Sequence, residues 1–299
     1  MQDLVATLIA RPDTPAFAAT AQALAEKIGA GSPDILAENE AIDLPFRSAA
    51  DLSDLRQDLG ALLAGAPLDL VVQSANGRRK KLLVADMDST IIGQECIDEL
   101  ADFAGLKDHI AAITERAMRG EIEFEPALRE RVALLKGLPV ETIDRVLEER
   151  IRLNPGAKAL IATMRANGGR AILVSGGFTA FVDRVAAMTG FNESHANRLI
   201  EADGKLAGTV AEPILGREAK LATLEEAITR FGLDASETMA VGDGANDLAM
   251  IGRAGLGVAF HAKPKVAEAA AARIDHSDLT ALLYIQGYRK ADFVPALRD

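Results

Sequence analysis

Apolar and polar positions alternate along this chain with two different periods. Residues 3–10 read as a strand, 15–29 as an Ala-rich helix, 35–46 as a weaker extended piece, 51–64 as a second helix and 68–75 as another strand. Together they predict a small α/β module. Asn76-Gly77 is a turn signal, and the basic run Arg78-Arg79-Lys80-Lys81 follows it, which sets a boundary after residue 77. The apolar run 82–85 then reads as a strand buried on both faces of a parallel sheet. Beyond it the period becomes helical, with Ile97, Leu100, Ala101 and Ala104 at i, i+3, i+4 and i+7. Further helices are predicted over 107–119, 125–136 and 140–149. This mainly helical stretch, at about 97–152, is too long for a plain crossover between parallel strands and reads as an inserted cap.

From Asn154-Pro155-Gly156 the alternation resumes. It gives helix 157–167, strand 170–174, helix 179–189, a strand pair at 196–200 and 206–210 around Asp203-Gly204, then helix 217–231. Strand 238–242, helix 246–253, strand 256–260, helix 264–272 and a last helix 278–287 complete it. The predicted fold is α/β: a doubly wound parallel sheet in residues 78–299, with a small helical cap after its first strand and an α/β module at 1–77.

With 299 residues, 49% of them hydrophobic, the chain can bury a sizeable core. Its formal net charge of -11 disfavours nucleic acid and anionic membrane surfaces as partners and favours a cation. The basic run 78–81 is read as a solvated approach to the second domain. Cys96 is the single cysteine, which excludes an internal disulfide and agrees with a reducing compartment. No apolar run approaches the roughly 18 residues of a membrane span, and Met1-Gln2-Asp3 lacks the basic start of a signal peptide, so a cytoplasmic location is expected.

Chemistry concentrates where strands end. The first core strand runs into Asp86-Met87-Asp88-Ser89-Thr90, the second into Ser175-Gly176-Gly177, and a later one into Asp243-Gly244-Ala245-Asn246-Asp247. Taken alone, Asp86 and Asp88 also fit a turn rich in Asp and Ser. Four carboxylates converging in one crevice would repel unless a cation lay among them, and oxygen-only donors favour Mg²⁺. A hydroxyl with glycine N–H groups at a strand-to-helix turn makes a phosphate cradle, and Lys220 suits the same anion. Ser175 lacks the glycine two positions earlier that a nucleophile elbow requires, and no Walker-type phosphate loop is present. In the cap, Arg131 lies among Leu128, Val132 and Leu135. That position fits either a snorkelling side chain or a carboxylate clamp.

The sequence Asp-Met-Asp-Ser-Thr at 86–90, Val-Ser-Gly-Gly-Phe at 174–178, the isolated Lys220 and Gly-Asp-Gly-Ala-Asn-Asp at 242–247 resemble the four ordered motifs of the haloacid dehalogenase superfamily. Residues 88–95, 128–138, 196–199 and 262–264 are further similar to the phosphoserine phosphatase family, so that the resemblance spans about 80–285. It implies a Rossmann-like core, hydrolysis of O-phosphoserine in serine biosynthesis, and an aspartyl-phosphate on Asp86 with Asp88 as acid and then base. It also implies Mg²⁺ held by Asp86, the Asp88 backbone carbonyl and Asp243, with Asp247 and Asn246 supporting the metal's waters and the phosphate. Ser175, Gly176 and Lys220 would bind phosphate oxygens; Glu95 would pair with the substrate ammonium, Arg131 with its carboxylate, and Met118 and Phe124 would wall the cavity. The alternatives are a phosphotransferase using an acceptor alcohol such as homoserine, and a non-catalytic amino-acid sensor. Such enzymes often carry an amino-acid-binding (ACT-type) module like 1–77, for which serine sensing, homodimerisation and scaffolding all remain open.

Overall fold

The computed structural model describes residues 1–63, 65–118 and 121–295, without the side chain of Met118. The N-terminal elements are β1 (Gln2–Ala10), α1 (Phe17–Ile28), β2 (Asp34–Ala37), β3 (Ala41–Ser48), α2 (Leu52–Gly60) and β4 (Leu68–Ser74). They form an antiparallel sheet of order β2-β3-β1-β4, the split βαβ arrangement. The extended piece predicted over 35–46 is a hairpin. It turns beside Asn39, whose φ of 55° suits a residue that tolerates the left-handed region. Leu4, Ala6 and Leu8 pack with Phe17, Leu24 and Leu59 under the two helices. Ile9 and Val71, on the opposite face, join the core that includes Leu283, Tyr284 and Tyr288 near the C-terminus. Burial on both sides explains why β1 reads as a nearly unbroken apolar run.

The second sheet begins with β5 (Leu82–Ala85), after which come the cap helices α3 (Cys96–Phe103), α4 (Lys107–Met118), α5 (Phe124–Leu134) and α6 (Glu141–Glu149). Next are α7 (Ala157–Ala166), β6 (Arg170–Phe178), α8 (Thr179–Thr189), β7 (Glu193–Asn197), β8 (Leu199–Ala202), β9 (Lys205–Val210) and α9 (Arg217–Phe231). The chain ends with β10 (Thr238–Gly242), α10 (Leu248–Arg253), β11 (Leu256–Phe260), α11 (Pro264–Ala269), β12 (Ala272–Ile274) and α12 (Ala281–Tyr284). The six strands β12-β11-β10-β5-β6-β7 are parallel, and the order reverses between β5 and β10. Ligands of such sheets bind beyond the carboxyl ends of the strands at that reversal. Asp86 and Asp243 are the residues that follow those two strands.

Several boundaries differ from the sequence reading. The polar segment Glu193–Asn197 is an edge strand, so the predicted strand 196–200 splits between β7 and β8. The helix predicted over 264–272 stops at Ala269 and gives way to β12, while the helix predicted over 278–287 shrinks to α12. The hairpin β8–β9 turns through Asp203 and Gly204, both left-handed (φ 52° and 72°), the turn type whose twist matches its strands. It stands apart from the main sheet and meets the cap. Gly137 N–H donates to Leu206 O (2.9 Å), Leu206 N–H to Leu138 O (2.9 Å) and Val140 N–H to Gly204 O (3.0 Å). The two cap linkers run side by side, with Gly93 N–H on Arg152 O (3.2 Å), Asn154 N–H on Ile91 O (2.8 Å) and Asn154 Nδ2 on Thr90 O (2.8 Å).

Candidate active site

The buried strand β5 delivers Asp86 into the crevice at 5% exposure. Its Oδ1 lies 2.7 Å from Lys220 Nζ, which also meets Asp247 Oδ1 at 2.7 Å. Lys220 comes from the first turns of α9 and is 2% exposed, so the side chain reaches this place only because two carboxylates receive it. Burial by itself would lower its pKa, but Asp247 and Asp86 outweigh that and hold the ammonium above its ordinary range. One oxygen each of Asp86, Asp243 and Asp247 falls within 4.8 Å of the others. Burial and the neighbouring Asp247 push the Asp86 carboxyl well above its usual pKa, against the pull of Lys220. Burial and Asp247 likewise raise Asp243 to about 7. One lysine does not neutralise three buried carboxylates. A hard divalent cation with oxygen ligands fits this donor set. Asp247 is already engaged, through Oδ1 to Lys220 and Oδ2 to Gly244 N–H (3.0 Å), whereas no hydrogen bond to the Asp243 carboxylate is seen among the described residues.

Asp88 makes its hydrogen bonds outside this group. Its Oδ1 accepts from Cys96 N–H (2.9 Å) and its Oδ2 from the Ser175 hydroxyl (3.1 Å). Burial raises its pKa, opposed by these hydrogen bonds, which suits a carboxyl that must carry a proton for part of a cycle. Ser175 in turn accepts from Gly177 N–H (2.9 Å), which draws the turn after the β6 core into a tight arc around its own hydroxyl.

A cavity of about 400 Å³ opens above these strand ends. Asp86, Asp88, Ser175, Gly176, Asp243 and Asn246 line its floor, while Glu95, Phe124 and Arg131 line it from the cap side. Met118 closes α4, and its side chain lies outside the described part of the structure. Ser89, left-handed at φ 54°, donates its hydroxyl to Glu95 Oε1 (2.7 Å). Burial and the nearby Asp88 raise Glu95 to about 8. Arg131 is 7% exposed; its Nε donates to Ala127 O (3.1 Å) and its Nη1 to Thr114 Oγ1 (3.0 Å). Arg131 makes no ion pair among the described residues, so a buried guanidinium is left with donor capacity toward the cavity. Ser89 was read from the sequence only as part of the Asp86–Thr90 motif, without its bond to Glu95, and Thr114, which holds Arg131, was not singled out, nor were the cavity residues Arg217 and Lys265. Thr114 gives no signal there, being one hydroxyl on an otherwise ordinary helix.

Residues 83–252 match the family of haloacid dehalogenase-like hydrolases. A phosphoserine phosphatase of Polaromonas sp. is 47% identical over 208 residues, covering 68% of this chain and 88% of that protein. A solved haloacid dehalogenase family hydrolase of Salmonella enterica serovar Typhi superposes with a TM-score of 0.85 at 27% identity, over 95% of this chain and 98% of that one. A phospho-aspartyl intermediate analogue of phosphoserine phosphatase gives a TM-score of 0.65 at 41% identity, over 69% of this chain and 98% of that one. The parallel sheet, the acid-bearing strand ends and these relatives together place the chain in the haloacid dehalogenase-like hydrolases, among the phosphoserine phosphatases.

Proposed function

We propose that the protein hydrolyses O-phospho-L-serine to L-serine and inorganic phosphate through an aspartyl-phosphate on Asp86. The observation that carries the reading is the distribution of charge around one small cavity. The floor offers a nucleophile, a serine and glycine turn and a buried lysine, all suited to a phosphoryl group, while the cap wall offers one carboxylate, Glu95, and one guanidinium, Arg131. A phosphorylated amino acid carries the three complementary charges. The arginine fork suits the substrate carboxylate, and Glu95 suits its ammonium.

In the first half of the reaction a carboxylate oxygen of Asp86 attacks phosphorus, the bond from phosphorus to the serine oxygen breaks, and Asp88 gives its proton to that oxygen. In the second half Asp88, now ionised, takes a proton from water as the water oxygen attacks phosphorus. The bond to Asp86 then breaks and phosphate leaves. Ser175, Gly176 and Lys220 hold the equatorial oxygens, so catalysis rests on positioning and charge neutralisation. Asp86, Asp243 and the backbone carbonyl of Asp88, with Asp247 and Asn246 alongside, would hold Mg²⁺, which would supply the positive charge that keeps Asp86 ionised and offsets the negative charge of the phosphate. Phosphate release from O-phospho-L-serine, compared with sugar phosphates under the same Mg²⁺ concentration, tests the substrate. Much faster hydrolysis of a sugar phosphate overturns it. Chelation of divalent cations is expected to abolish turnover and added Mg²⁺ to restore it. Asp86→Asn is expected to lower kcat on the order of 10⁴-fold or more.

A further inference from the structure

Asn197 ends β7, outside the cavity lining, and is 2% exposed. Its Nδ2 donates to Gly176 O (2.9 Å) and to Leu215 O (3.0 Å), and its Oδ1 accepts from Leu215 N–H (2.7 Å). Two carbonyl oxygens facing one end of the amide fix which end is nitrogen. A buried amide that satisfies three of its four positions on backbone atoms ties those segments together. Gly176 belongs to the phosphate-binding turn; Leu215 leads into α9 and Lys220. Residues 197 and 215 also flank the β8–β9 hairpin, which makes the three backbone hydrogen bonds to the cap described above. One side chain therefore joins the phosphate turn to the base of the hairpin that meets the cap.

The two tied segments present glycines to the same cap side chain. A Cβ built on Gly176 would lie 2.9 Å from Phe124 Cζ, and one on Gly216 would lie 3.3 Å from Phe124 Cδ1. Neither glycine has a positive φ. A side chain at Gly176 would have to displace the ring and one at Gly216 would crowd it, so room for the aromatic ring, rather than backbone conformation, favours glycine at both positions.

We propose that Asn197 is a positioning residue for the phosphatase reaction: it holds Gly176 and Gly216 at the spacing that seats the Phe124 ring, and so sets the closed position of the cap over the substrate. The inference rests on the phosphatase reading, and the two fail separately, because the native enzyme's release of phosphate from O-phospho-L-serine decides that reading alone.

The test is a double-mutant cycle on the full chain with Mg²⁺. Asn197→Ala is expected to lower kcat/KM for O-phospho-L-serine on the order of 10- to 100-fold, mostly through KM, because a small displacement of a closing element is felt at the reacting atoms. In a Phe124→Ala background, where the ring to be seated is gone, the same change is expected to lower it less than about threefold. The inhibition constant of inorganic phosphate is expected to stay unchanged. A loss that multiplies undiminished with Phe124→Ala overturns the proposal. So does a phosphate inhibition constant that rises in step with KM, since Asn197 would then act on the phosphate turn itself. Should Asn197→Ala fail to fold, Gly216→Ala decides: it must raise KM in the native background and lose that effect in a Phe124→Ala background, and an effect that persists overturns the seat.

Discussion

At the scale of single residues, Glu95 carries opposite consequences for binding and for folding. Its pKa of about 8 means that the free enzyme holds a proton there at neutral pH, whereas an ammonium group needs the carboxylate. KM for O-phospho-L-serine is therefore expected to fall as pH rises toward 8. That limb should be absent with p-nitrophenyl phosphate, which has no amine, and absent in Glu95→Gln. An unchanged profile in Glu95→Gln would remove the ammonium contact from the scheme. The folding consequence has the opposite sign. Since the unfolded carboxyl titrates near 4.5 and the folded one near 8, the folded chain binds the extra proton, and this group's contribution to stability is full below about 4.5 and lost as pH rises through 8. Calorimetry without substrate should find Glu95→Gln melting above the native protein at pH 8 but not at pH 5. Arg131 gives a second test. Arg131→Lys removes the fork that Ala127 O and Thr114 Oγ1 orient, and is expected to raise KM about 10- to 100-fold. Thr114→Val keeps the shape and removes one support, so a smaller rise in KM with kcat intact is expected.

Among elements, legibility followed burial. β5, β10, β11 and residues 171–174 of β6 are buried on both faces and stand out as short apolar runs, and the acids or hydroxyl at their tips were readable for the same reason. The edge strands were not readable. β7 is Glu-Ser-His-Ala-Asn with one buried residue, and β12 is three residues long, so neither carries a period; pairing with a neighbour already in place makes them strands. The cap helices were found by their period, but the partner of the cap, the β8–β9 hairpin, is a tertiary fact. Gly208 records that contact: its φ is 80°, and a Cβ there would lie 2.8 Å from Lys136 Cβ. Gly208→Ala is expected to destabilise the chain by about 1–3 kcal/mol, read as a lower urea midpoint, because backbone strain and cap packing act together. A midpoint unchanged from native would show that hairpin and cap slide freely past each other.

For the molecule as a whole, the contact between residues 1–77 and the core bears on what those residues do for it. Their sheet meets the C-terminal segment through a buried polar seam as well as through apolar packing. Arg78 reaches Asp43 at 2.6 Å and Thr7 Oγ1 at 3.2 Å, and its Nε donates to Ile285 O at 3.2 Å; Gln73 Nε2 donates to the same carbonyl at 2.7 Å. Asp69, 3% exposed, accepts the backbone N–H groups of Asp275 (2.7 Å), His276 (3.2 Å) and Ser277 (2.8 Å). That loop continues into Leu279, whose N–H donates to Pro155 O in the second cap linker at 3.1 Å. A seam of buried, directional bonds is intolerant of sliding, because each half-broken pair leaves a buried polar group unsatisfied. We therefore take residues 1–77 as a module docked in one position, acting on the core as a brace. Asp69→Ala strips a carboxylate from three N–H groups and is expected to cost about 2–4 kcal/mol. In a chain of this size that lowers the melting temperature by roughly 5 °C or more. Turnover at 25 °C should persist, since no cavity residue is touched. An unchanged melting temperature would mean that the seam contributes nothing to holding the module, and a free, separately moving module would replace the brace.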